Sequence, residues 1–147
     1  LLPAPSALAP VVADAQDHRG EVDVASFEVF REFYFEAAHA LYDPEHPAGG
    51  KYRNLHGHSF RVRVTLRGER SQEEQWVMDL GKLGRRLAEL REKLDHSFLN
   101  DLDGLGKPTL ENLCLYIWDD LSPFAPGLRE VGVFRDSCFE GCVYRGD

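Results

Sequence analysis

Phe27-Glu28-Val29-Phe30-Arg31-Glu32-Phe33-Tyr34-Phe35-Glu36-Ala37-Ala38-His39 and, further on, His56-Gly57-His58-Ser59-Phe60-Arg61-Val62-Arg63-Val64-Thr65-Leu66-Arg67 both alternate with a period of two. One parity of the first stretch carries Phe27, Val29, Phe33, Phe35, Ala37 and His39, broken only by Arg31. In the second, His56, His58, Phe60, Val62, Val64 and Leu66 share a face, while Arg61, Arg63, Thr65 and Arg67 point the other way. Such alternation predicts two half-buried strands. Paired as an antiparallel hairpin, the first ends where the second begins, and His39, His56 and His58 emerge at one rim. A lone histidine on an apolar strand face is usually a core residue. Three at one rim, two of them at i and i+2, form the ligand set of a catalytic zinc with an open fourth position.

The 147 residues suffice for one domain with a real core. No run approaches the roughly 18 apolar residues needed to cross a bilayer. A net charge of −8 argues against general nucleic-acid binding, for which a basic excess is needed. Lys51 and Arg53, just ahead of the histidine pair, leave room for a small anionic ligand. Of three cysteines, Cys114 falls in a helical pattern and reads as a core residue. Cys138 and Cys142 flank a short turn, where two reduced thiols are preferred over a disulfide or metal ligands. That usage suits a reducing cytoplasm. Residues 1–20 are Ala- and Pro-rich, faintly like a signal peptide but interrupted by Pro3, Pro5 and Pro10, and read as an arm before a domain at 21–147.

After the hairpin, Asp79 predicts a helix N-cap, and Leu80, Leu83, Leu87, Leu90 and Leu94 form one helical stripe. Gly81 and Gly84 weaken it by about 1 kcal/mol each unless close packing requires them. Pro108-Thr109 opens a second helix with the stripe Leu110, Leu113, Ile117 and Leu121, stopped by Pro123 and Pro126. A strand follows at 129–136 with Val131 and Val133 on one face, then a tight turn and a last strand at 142–145. The order ββααββ predicts an α+β domain: a four-stranded antiparallel sheet with two helices on one face. Its other face stays open unless subunits join, so an oligomer is expected.

The phrases Phe35-Glu36-Ala37-Ala38-His39, Leu55-His56-Gly57-His58-Ser59-Phe60, Leu94-Asp95-His96-Ser97-Phe98-Leu99-Asn100-Asp101, Pro108-Thr109-Leu110-Glu111-Asn112-Leu113 and Gly141-Cys142-Val143-Tyr144-Arg145-Gly146-Asp147 resemble the 6-pyruvoyl-tetrahydropterin synthase family. They are most similar to its bacterial branch of 6-carboxytetrahydropterin synthases, which act in queuosine biosynthesis. The resemblance implies a T-fold (tunnelling fold) assembled as an oligomeric barrel, a homohexamer built as a dimer of trimers with active sites between subunits. It implies zinc held by His39, His56 and His58, a proton-carrying pair at Asp95 and His96, and a pterin-binding threonine at Thr109.

Two positions depart from the pattern. The catalytic cysteine of the family, four residues before the His-x-His pair, is replaced by Tyr52, and the glutamate that anchors the pterin reads Asp136. A thiol near pKa ~8.5 becomes a base beside zinc more readily than a phenol near ~10. Tyr52 is therefore either a replacement base or proton donor, or a loop aromatic that stacks on the pterin or merely fills the space. His46 lies in the same loop. The expectation is a cytoplasmic, zinc-dependent carbon–oxygen lyase acting on 7,8-dihydroneopterin triphosphate or a related dihydropterin. The alternatives are a side-chain-cleaving enzyme on an unphosphorylated dihydropterin and a non-catalytic zinc- and pterin-binding protein.

Overall fold

Fourteen consecutive antiparallel residue pairs join β1 (Ser26–His39) to β2 (His56–Glu69), from Ser26↔Glu69 to His39↔His56. The computed structural model describes residues 25–42 and 50–146, so the arm at 1–20 and His46 lie outside the described residues. Matching parity in the two strands sets the register, because a slip of one residue would turn every apolar side chain to the opposite face.

The chain continues through α1 (Leu80–Leu94), β3 (Ser97–Phe98), α2 (Leu110–Leu121), β4 (Leu128–Arg135) and β5 (Glu140–Tyr144). Asp79 caps α1 by accepting the Gly81 and Lys82 N–H groups, and Thr109 caps α2 by accepting that of Asn112. The sheet order is β3-β1-β2-β4-β5. The four expected antiparallel strands are present, with one addition: β3 pairs in parallel with Ala37 and Ala38 of β1. Two residues are too few to show a period, which is why sequence patterning passes over them.

Both helices cover the inner face. Leu83, Leu87, Leu90 and Leu94 of α1 and Leu113, Ile117 and Leu121 of α2 pack with Phe35, Phe60, Val62, Val64, Val131 and Val133. Arg31, the charged residue on this parity, donates from Nη1 to the Leu80 carbonyl at 2.8 Å. Its guanidinium takes the space over Gly84, where a Cβ would lie 2.5 Å from Cζ, so the glycine has its packing reason.

The outer face carries Arg61 stacked 4.4 Å over Phe134 and Arg63 stacked 3.7 Å over Phe30. Phe30 and Tyr34 stay about half exposed there. Among the described residues no helix is long and apolar enough to cross a membrane.

Candidate metal centre

The last rung of the hairpin brings His39 against His56, and His58 follows two residues later on the same face. One ring nitrogen from each of the three lies within 4.8 Å of the others. His39 Nδ1–H donates to the Pro108 carbonyl at 2.9 Å, and His56 Nδ1–H donates to the Asn54 carbonyl at 2.7 Å. A carbonyl only accepts, so both rings carry the proton on Nδ1 and a lone pair on Nε2. Those two Nε2 atoms are 3.0 Å apart. Two lone pairs at that distance repel and cannot share a hydrogen bond; a cation between them turns the repulsion into coordination. Carbonyl partners that orient metal-ligating imidazoles are the usual outer support of such sites.

Two of the rings are suited to stay neutral. Burial lowers the pKa of His39, with its neighbours His56 and Arg135 adding to the effect. His58 is pushed down to about 4, first by burial, then by Arg135 and the other two histidines. Neutral imidazoles are the form that binds metal. The donor set therefore fits a zinc ion held by His39, His56 and His58, with one position open.

Of the triad, His39 lines an inner cavity of about 280 Å³ together with Phe60, Thr109, Glu111, Arg135 and Glu140. Thr109 is thus both the cap of α2 and part of the wall. A larger, open cleft of about 510 Å³ lies on the outer face, bordered by Glu36, Gly57, His58, Ser59, His96 and Ser137. The smaller cavity is the better candidate site, because it combines His39, the most buried of the triad, with a helix start and charged walls.

Asp95 and His96 are together but elsewhere. His96 Nδ1 lies 3.1 Å from Asp95 Oδ2, and Asp95 Oδ1 accepts the Glu36 N–H at 2.8 Å. That backbone bond first, then His96 and Arg91, hold the Asp95 carboxyl below the usual carboxylate range. The His96 ring is 79% exposed and borders the outer cleft. Its φ of +55° is left-handed, a conformation that costs a residue bearing a Cβ and is normally filled by glycine after a helix.

Tyr52 sits in a 3-10 turn (Gly50–Arg53) and is 66% exposed; its carbonyl accepts the Leu41 N–H, and its ring is not part of the inner cavity wall.

Asp136 corrects an expectation. It is not in the strand expected at 129–136, which ends at Arg135, but opens a turn at Asp136–Cys138, and its carboxylate is bound by Arg61 on the outer face. The triad cavity instead receives Arg135 and Glu140, which motif reading missed. Cys138 and Cys142 are free thiols, as expected, and Cys138 Sγ lies 3.8 Å from His58 Nδ1, so the turn brings a thiol to the triad's outer side. Cys114 is buried in the core, and burial, with Cys142 beside it, pushes its thiol up to about 12.

Comparison with known proteins agrees with this geometry. Residues 28–147 match the family model described as 6-pyruvoyl tetrahydropterin synthase. The chain is 41% identical over 122 residues to the 6-carboxy-5,6,7,8-tetrahydropterin synthase of Synechocystis sp., covering 79% of this chain and 91% of the relative. It is 35% identical over 107 residues to the dihydroneopterin monophosphate aldolase of Pyrococcus furiosus, covering 73% and 83%. Among solved structures, 6-pyruvoyl tetrahydropterin synthase of Caenorhabditis elegans superposes with a TM-score of 0.76 at 25% identity, covering 84% of this chain and 98% of that one.

Proposed function

The chain belongs to the 6-pyruvoyl tetrahydropterin synthase family, and from that premise we propose that it is a zinc-dependent lyase acting on 7,8-dihydroneopterin triphosphate or a close dihydropterin relative. The observation that carries the proposal is the pair of Nε2 lone pairs 3.0 Å apart at the mouth of a cavity that Thr109 helps to wall. When bound there, zinc supplies Lewis-acid chemistry, acidifying hydroxyl and adjacent C–H protons of the ligand's side chain.

The chain's own residues do the rest. Pro108 and Asn54 carbonyls hold the His39 and His56 rings in one tautomer, so the two Nε2 atoms stay aimed at one shared point. The start of α2 offers the Thr109 side chain and a positive helix end to the acceptor atoms of a ring. Asp95 fixes the His96 ring through Nδ1, leaving Nε2 to take or return a proton. Because His96 faces outward beside β1, it serves a site completed by a neighbouring copy. The half-exposed aromatic and arginine side chains of the outer face suit such a ring of subunits, and the subunit count proposed is six.

A second reading is favoured by Tyr52, whose ring is not in the cavity wall, and by the similarity to an aldolase. In it the bond between the first and second side-chain carbons breaks, giving a 6-hydroxymethyl dihydropterin and a two-carbon aldehyde. Incubating the zinc-loaded protein with dihydroneopterin triphosphate and its dephosphorylated forms, with mass spectrometry of products, separates the two. Triphosphate release with a tetrahydropterin supports the lyase, and 6-hydroxymethyl dihydropterin supports cleavage. Unchanged substrates would sink both and leave a binding protein.

A further inference from the structure

The inner cavity contains a guanidinium that no family motif accounts for. Arg135 ends β4 on the parity of Val131 and Val133, so its stem follows the core and its head enters the cavity. The side chain is 13% exposed. Nη2 pairs with Glu140 Oε1 at 2.9 Å, and Nη1 lies 3.4 Å from His58 Nε2. Nε is buried and has no hydrogen-bond partner among the described residues. A buried donor without an acceptor is unfavourable, and a ligand that brings an acceptor removes the imbalance.

The charges point the same way. A dication on the histidines and a fixed guanidinium beside His58 repel each other, most strongly where water is excluded. Glu140 and Glu111 offset part of this, Glu140 from a half-exposed position. With a dication bound, positive charge exceeds negative at this end of the cavity. An anionic group between metal and guanidinium relieves both, and the planar fork of arginine matches a carboxylate through two parallel N–H bonds.

We propose that Arg135 is a specificity residue that receives a carboxylate carried by the ligand, so that the cavity prefers pterins with a carboxylate on the ring over neutral ones. The inference rests on the pterin reading above.

The test is calorimetric titration of zinc-loaded protein with 6-carboxypterin and with neutral 6-hydroxymethylpterin. The wild type is expected to bind the carboxylate at least about tenfold more tightly. R135Q is expected to bring the two affinities close to parity by weakening only the carboxylate. R135K, which retains the buried charge and the stem, is expected to lose most of the preference while keeping its fold and zinc content. Equal affinities in the wild type, or an unchanged ratio in either folded variant, would overturn the proposal. Failure of both pterins to bind the zinc-loaded wild type would overturn the pterin reading itself, and this inference with it.

Discussion

Arg61 holds Asp136 by both carboxylate oxygens, Nε to Oδ2 at 2.8 Å and Nη2 to Oδ1 at 3.0 Å, while the Tyr34 hydroxyl donates to Oδ2 at 3.3 Å. Arg61 is stacked on Phe134 and also pairs with Glu32, so the carboxylate is one member of an outer-face network. D136N should therefore retain full zinc content and pterin affinity in the purified protein, with a small fall in Tm. A loss of pterin binding comparable to removal of Thr109 would show instead that Asp136 reaches the ligand.

Gly57 separates two of the three histidines, and a Cβ there would lie 3.1 Å from the Ala37 carbonyl oxygen, a backbone atom with little freedom to move. G57V should spread β1 from β2 at the rung that positions the rings. Zinc affinity is expected to fall about 10-fold or more, in the range seen when the supports of ligating histidines are removed. Competition with a chromogenic chelator measures it, and wild-type affinity would count against the rigid-rung account.

His96 combines a left-handed backbone with an exposed ring. H96G relieves the backbone cost and should raise stability by about 1 kcal/mol in urea unfolding. Turnover of the dihydropterin substrate should fall by about 100-fold or more if the imidazole transfers protons. A more stable protein with undiminished turnover would confine His96 to a structural part.

For chelator-treated protein the pH dependence has a definite sign. In the fold His58 titrates near 4 and His39 below its ordinary 6.5, whereas both return to about 6.5 when unfolded. Between those values the unfolded chain binds more protons, so stability increases with pH across that window and is lost as pH falls through it. Urea midpoints should drop between about pH 7 and about pH 5. A flat profile there would contradict burial of neutral rings.

Much of this molecule was readable from period-two patterning. The hairpin register, the triad and both helix caps follow from parity and from residues such as Asp79 and Thr109. The same parity rule, carried one step further along β4, places Arg135 on the inner face after Val131 and Val133 and sends Asp136 outward. Motif correspondence, counted back from the final Cys-x-x-x-Cys turn, points to Asp136 instead. β3 and the approach of Cys138 to His58 were beyond reach, since each depends on a turn that leaves no periodic trace.

His39 and His56 also close the final rung of a ladder of fourteen, and the segment between them, residues 40–55, leaves and returns at that rung. Ladder ends are where strands unzip first. A bound cation acts there as a clasp, fastening the end of the hairpin that like-poled lone pairs would otherwise push open. Starved of metal, the protein should lose its site by fraying from this corner while the leucine-rich interior beneath the sheet stays whole.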